Sequence, residues 1–175
     1  MLKGNYTGLR AIEKEDLLQL LEWRNRPEYR GYFREHRELS FENQKLWHER
    51  VSSSGTNNIM FAIIELDSYK LLGACGLCHI DWINRSADFS IYIGIDNIYI
   101  DDKFAPDAST SLLNYGFKEL NLHRIWAEIY DFDEPKKKLF QDLRLVLESN
   151  HRQTYWHKGK WCDSLFYSIL SCEFS

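Results

Sequence analysis

The chain has 175 residues, 44% of them hydrophobic, 27% charged and 15% aromatic, with a formal charge of −4. That length suits one domain with its own core, so residues 1–175 are read as a single domain, and three prolines and nine glycines exclude a collagen-like or low-complexity chain. The mild acidity speaks against nucleic acid as a partner, because nonspecific phosphate binding needs clustered Lys and Arg.

No run approaches the roughly 20 apolar residues that cross a bilayer; residues 59–64 make a typical short run. Residues 1–6 lack the apolar stretch of a secretory signal. A cytoplasmic protein without membrane contact is expected.

Residues 6–12 read as a short strand. Lys14-Glu15-Asp16 then opens a helix whose apolar face is Leu17, Leu20, Leu21 and Trp23. It ends near Asn25-Arg26-Pro27, because proline disfavours helix in the residue before it. Ser40 has N-cap chemistry for a second helix, with Leu46, Trp47 and Val51 on one side. Residues 52–58 are a turn-rich loop. Residues 59–66 and 71–80 are apolar runs around Asp67-Ser68-Tyr69-Lys70, which predicts a hairpin. Residues 87–95 alternate, with Phe89, Ile91 and Ile93 on one face and Asp88, Ser90 and Tyr92 on the other, as in a half-buried strand.

Pro106-Asp107-Ala108 opens a third helix, with Leu112, Leu113, Phe117 and Leu120 at helical spacing. Residues 123–130 read as a strand. Asp133-Glu134-Pro135 opens a fourth helix that turns Leu139, Phe140 and Leu143 inward and Lys136-Lys137-Lys138 to solvent. Two aromatic-rich strands around His157-Lys158-Gly159-Lys160 close the chain. Helices mixed with a largely antiparallel sheet make the fold class α+β. Cys75 and Cys78 form a CxxC, but Cys162 and Cys172 do not form the second pair of a zinc ribbon. The CxxC also lies on a predicted strand rather than a helix start, so buried thiols are expected, with no metal ligands.

The stretch Asn114-Tyr115-Gly116-Phe117-Lys118-Glu119-Leu120-Asn121-Leu122-His123-Arg124-Ile125 resembles the helix–strand junction of the GNAT superfamily of N-acetyltransferases. The likeness is to the branch holding ribosomal-protein, spermidine and amino-sugar acetyltransferases. Leu21-Glu22-Trp23-Arg24-Asn25 resembles its first helix, residues 73–80 its third strand, and the Gly159-Lys160 hairpin its last two strands.

The resemblance implies a GNAT-like central sheet, mostly antiparallel and flanked by helices. Its fourth and fifth strands, here residues 87–95 and 123–130, splay apart. It implies transfer of acetyl from acetyl-CoA to a primary amine of a small molecule or protein N-terminus, by direct attack in a ternary complex. Backbone N–H groups near Ile91, Tyr92 and Ile93 would hold the donor and polarise its thioester. The opening of the third helix, at Lys103, Phe104, Ala105 and Asp107, would face the diphosphate. Asp133 and Phe140 complete the expected donor-binding set. Glu128 and Asp88 are the carboxylates expected to take the amine's proton. Trp23, Arg24 and Arg26 fall in the acceptor lobe, where an aromatic beside arginines suits a sugar or phosphate-bearing acceptor. A homodimer is a further candidate assembly.

Residues 100–107 depart from the family's glycine-rich loop: they hold no glycine, two adjacent carboxylates, Asp101 and Asp102, that repel phosphate, and Lys103 as the compensating cation. Phe140 stands where the family often offers a phenol, leaving Tyr92, Tyr115 and Tyr130 as substitute acids. His123 reads as a structural hydrogen bonder. These departures keep a second reading open, a GNAT-fold binding protein without acetyl transfer. Another acyl donor also stays open, as do polyamine, amino sugar and protein N-terminus as acceptors.

Overall fold

A buried backbone must satisfy its own N–H and C=O groups, and the apolar runs of this chain do so by pairing. In the computed structural model, which describes residues 1–53 and 55–174, the strands are β1 (Leu2–Lys3), β2 (Thr7–Ala11), β3 (Ile59–Glu65), β4 (Leu71–Asp81), β5 (Ser86–Ile93), β6 (Arg124–Tyr130), β7 (Val146–His157) and β8 (Lys160–Leu170). They form one sheet in the order β1-β2-β3-β4-β5-β6-β8-β7. Every neighbouring pair is antiparallel except β5 and β6, which run parallel.

The helices are α1 (Leu17–Asn25), α2 (Pro27–Arg30), α3 (Phe41–Ser52), α4 (Phe104–Asn114) and α5 (Glu134–Asp142). Alternation along β5 splits the core in two. Ala87, Phe89, Ile91 and Ile93 pack with residues of α4 and α5, including Leu112 and Phe140. Tyr92 packs on the opposite face with Leu17, Leu20 and Trp23 of α1 and Tyr29 of α2, and Trp47 of α3 joins them. The strand is therefore buried on both faces rather than half-buried, because α1 to α3 cover the side that its polar alternation suggested would be wet.

Trp23 shows how tightly that second layer is seated. A side chain at Gly94 would overlap the Trp23 ring, so glycine at 94 is what lets the indole lie on the end of β5. Three further features differ from the sequence expectation. Pro27 ends α1 as expected but immediately starts α2, where proline suits the first helical position. The third helix begins at Phe104, before Pro106. Lys136 is buried, at 8% exposure, rather than solvated.

The feature that positions a site is the short parallel contact. β5 and β6 pair only through Ser86, Ala87 and Asp88 with Arg124, Ile125 and Trp126. Past that point β5 stays with β4 as far as Ile93, and β6 stays with β8 as far as Tyr130. The two strands, the expected fourth and fifth, diverge and leave a gap.

Candidate active site

Asp88 is the last β5 residue paired to β6, and Glu128 lies two residues beyond its partner Trp126. The two carboxylates thus flank the apex of the gap. Arg34, from the segment after α2, joins them: its Nη1 donates to Asp88 at 2.6 Å and its Nε to Glu128 at 3.1 Å. Burial alone would lower the pKa of Arg34, but Asp88 and then Glu128 outweigh it and raise the pKa. Ser164 Oγ of β8 donates to Glu128 at 2.7 Å, with Thr154 Oγ1 behind it at 2.6 Å. His79 reaches Asp88 with Nδ1 at 3.3 Å. It does so from an irregularity in β4 between Cys78 and Asp81, where His79 has a φ of 49°. Such irregularities re-aim side chains beside sites.

The backbone at the gap is partly committed. Ile93 N–H donates to the Tyr99 carbonyl at 2.8 Å, so that edge of β5 faces away from β4. By alternation Tyr92 N–H points to β4, and Ile91 N–H points into the gap beyond the last β5–β6 pair. Of the three expected backbone donors, Ile91 is thus the one available to a thioester. Tyr32 stands over this region, stacked on Tyr99 at 4.3 Å between ring centres and 5.9 Å from Phe132.

At the expected thioester end, the gap thus keeps one uncommitted backbone donor, while the expected diphosphate end presents a different situation. The carboxylate of Asp101 accepts from Lys103 N–H at 3.1 Å, Phe104 N–H at 2.7 Å and Ala105 N–H at 2.7 Å. These are the orphan donors of the α4 N-terminus, the groups that otherwise hold phosphate. Asp101 is a cap rather than a solvated loop residue. Lys103 lies over the rings of Tyr6 and Phe104, 4.8 and 4.7 Å from their centres. Asp102 pairs with Lys138 at 2.7 Å. Asp107 turns to the N-terminus, accepting from the N–H groups of Asn5, Tyr6 and Thr7 and from Thr7 Oγ1. Burial works against its ionisation, but the Thr7 hydroxyl and those amides outweigh it and lower its pKa.

The fourth-helix pair is also accounted for by packing. Asp133 caps α5, accepting from Lys136 N–H at 3.1 Å, and takes the Tyr99 hydroxyl at 3.1 Å. Burial raises its pKa and lowers that of Lys136. Phe140 has 0% exposure and packs edge-on to Phe89 and tilted to Tyr167. The substitute phenols are no freer. Tyr92 and Tyr130 are buried with raised pKa values, and Tyr130 stacks on Tyr155 at 3.7 Å. Tyr115 packs edge-on to Phe61, with the core on the α4 face. Burial pushes the pKa of the Cys78 thiol up to about 12.

On the α1–α3 face, the expected acceptor residues separate. Trp23 is core, at 3% exposure. Arg26 is structural, donating to the Gly94 carbonyl at 2.9 Å and to Glu22 at 3.1 Å. Arg24 instead lines a cavity of about 460 Å³, together with Arg37 and Arg50, whose wall includes Cys78, Ser90 and Tyr92. Cys78 lies opposite Asp88 in the β4–β5 ladder, so the cavity and the carboxylates share one face of the sheet. Arg34, His79, Ser164 and Thr154 were missed by the sequence reading. Arg34 lies 54 and 94 residues from its two partners, and its one local signal is the charged run Arg34-Glu35-His36-Arg37. His123 is exposed, and its backbone N–H and C=O secure the junction by pairing with Arg85 and Ser171.

Residues 7–146 match the family described as acetyltransferase (GNAT) domain. An uncharacterized N-acetyltransferase, p20 of Bacillus licheniformis, is 31% identical over 115 residues, covering 66% of this chain and 64% of that protein. A spermidine N(1)-acetyltransferase of Vibrio cholerae is 25% identical over 167 residues, covering 95% and 94%. The crystal structure of spermidine N-acetyltransferase from Vibrio cholerae with CoA and spermine shares the fold at a TM-score of 0.87, with 24% identity over 97% of this chain and 98% of that one. These relatives favour acetyl transfer over a binding protein that has lost it. The matched stretch contains Asp88, Glu128 and the diverging strands, and the chain belongs to the GNAT acetyltransferase family, which moves acetyl from acetyl-CoA to an amine.

Proposed function

We propose that this protein acetylates a primary amine by direct attack, with Glu128 taking the amine's proton at the apex of the β5–β6 gap. The observation that carries this reading is the carboxylate pair that Arg34 ties across the diverging strands. An amine is protonated at neutral pH and must lose a proton before its lone pair can react. Glu128 and Asp88 attract the ammonium to the gap, and Glu128 accepts its proton. Ser164 orients that carboxylate through its second oxygen. Acetyl-CoA supplies the acetyl thioester. The neutral amine would bond to its carbonyl carbon, the C–S bond would break, and CoA would leave as a thiolate that takes up the second proton of the attacking nitrogen. The Ile91 N–H is the backbone donor that faces where the thioester's carbonyl oxygen would lie. No cysteine nucleophile is needed, and the buried Cys75 and half-buried Cys78, whose thiols burial holds protonated, suit none.

A homodimer in a reducing, cytoplasmic setting belongs to the same proposal. Its supports are four free cysteines and a long exposed edge strand, β7. No helix among the described residues is long and apolar enough to cross a membrane.

Replacing Glu128 by Gln tests the proton step. Turnover should fall by about 10²–10⁴-fold, and the deficit should shrink as pH rises toward the amine's own pKa, about 10 for an alkylamine. A variant as active as the parent at every pH would remove Glu128 and leave Asp88 or a water chain.

A further inference from the structure

Four arginines besides Arg24 are half-buried, and each of them holds a carboxylate: Arg10 with Asp16, Arg26 with Glu22, Arg30 with Glu38 and Arg124 with Glu148. Arg24 is half-buried too, yet its guanidinium has no ion pair and no hydrogen bond among the described residues. Its guanidinium lies 3.9 Å from the centre of the Phe33 ring. Stacking orients the group and covers one face, but it leaves the in-plane N–H fork unpaired, and that fork matches an oxyanion. Unpaired charge taken out of water is costly, so a structure that keeps one has a use for it or a ligand for it.

The cavity around Arg24 has the matching sign. Arg24, Arg37 and Arg50 line it against one carboxylate, Glu35. Glu35 is already held by Arg37 at 2.7 and 2.9 Å. The opposite sign lies next door. Asp88 faces Cys78 across the ladder, and Ser90 and Tyr92 carry the same sheet face two and four residues further along β5. At strand rise, those steps are roughly 7 and 13 Å. One connected face therefore runs from a carboxylate pair at the gap to an arginine cluster on the order of 10 Å away.

We infer that the acceptor is an amine bearing an anionic oxyacid group, a carboxylate or a phosphate, which docks on Arg24 with Arg37 and Arg50 while its ammonium meets Asp88 and Glu128. This rests on the proposed acetyl transfer and names its substrate class. A cavity of about 460 Å³ holds a small ligand of that length. Burial lowers the pKa of Arg24, as expected of a cation that gains from an incoming anion. A polyamine, by contrast, would bring its second ammonium against the arginines. The chain thereby departs from relatives whose names include spermidine.

The test pairs amines that differ only in the distal anion: glucosamine 6-phosphate against glucosamine, and 6-aminohexanoate against hexylamine, with spermidine alongside. Initial rates with acetyl-CoA give kcat/KM for each. The anionic member should be preferred by about 10–100-fold in at least one pair, through KM rather than kcat. The pair that shows the preference tells phosphate from carboxylate. Replacing Arg24 by Met should collapse that ratio, and replacing it by Lys should restore part of it. Calorimetric titration of the preferred anionic amine without donor gives a second readout, and binding should weaken in Arg24→Met by the same factor. If neutral amines or spermidine are acetylated as well as the anionic ones, or if Arg24→Met leaves the ratio unchanged, the anion site is wrong while acetyl transfer stands. If no amine is acetylated and none binds, the proposed reaction itself fails and takes this inference with it.

Discussion

Two carboxylates that flank a gap on one face of the sheet repel each other, and Arg34 is the residue that makes Asp88 and Glu128 compatible there. Its role is electrostatic and geometric at once, because a planar fork can serve two acceptors in fixed directions. Phe140 shows the converse, a residue whose family position suggests chemistry but whose surroundings dictate packing. Adding a phenol oxygen at 140 would place a hydroxyl in a fully buried aromatic cluster with Phe89 and Tyr167. Phe140→Tyr should therefore cost about 1–3 kcal/mol through crowding or an unpaired hydroxyl. That is a drop of several degrees in Tm for a chain of this length, with no gain in turnover. A thermal melt beside an initial-rate assay checks both, and a faster enzyme with unchanged Tm would show that the ring does reach the gap. Strand alternation made the face of Glu128 and Asp88 legible in the sequence, and the family resemblance put that face at the gap, where the two side chains lie. Arg34 and His79 were not, because a loop after a four-residue helix and a strand irregularity carry no period to read.

At the scale of elements, the opening of α4 is the least family-like part of the chain, and its physics is self-contained. An anion site at a helix start consists of amides without partners. Here Asp101 satisfies three of them from within the chain, which explains how a segment without glycine still forms a stable helix start. A donor diphosphate bound where the family resemblance implies would compete with the Asp101 carboxylate for the same amides. Asp101→Gly should tighten acetyl-CoA binding several-fold while lowering stability by about 1 kcal/mol through loss of the cap. Titration calorimetry and a denaturant melt measure the two effects separately. Unchanged or weaker binding in the variant would place the diphosphate elsewhere. The absence of glycine and the repulsive carboxylates were visible in residues 100–107, but the capping was not, since it depends on a turn that returns Asp101 onto the N–H groups of residues 103–105. Similarly, the polar alternation of residues 87–95 gave the faces of β5 correctly. It misjudged their exposure, because burial of the second face depends on α1 to α3 folding over it.

At the scale of the molecule, the sheet has two unequal edges. One ends in β1, which is two residues long and too short to template another strand. The other ends in β7, twelve residues long and exposed along most of its length. β7 and its hairpin partner β8 present Val146, Leu147, Trp156 and Trp161, each about half exposed, and the two indoles pack edge-on at 5.2 Å. Monomeric proteins usually shorten, charge or cover such an edge, because its free N–H and C=O groups accept another strand. The order of strands was readable in the sequence as far as the α+β class and the final hairpin. The unpaired outer edge was not, since which strand ends a sheet is decided by long-range pairing. The homodimer proposed above would form along β7, with the exposed apolar side chains of two copies covering one another. Sedimentation equilibrium should then return twice the 20.9 kDa chain mass. Leu147→Glu, which sets like charges face to face across a two-fold contact, should return the monomer mass with its helix content unchanged. A parent chain that sediments as a monomer at tens of micromolar would overturn the dimer, and a Leu147→Glu variant that stays dimeric would move the contact away from β7.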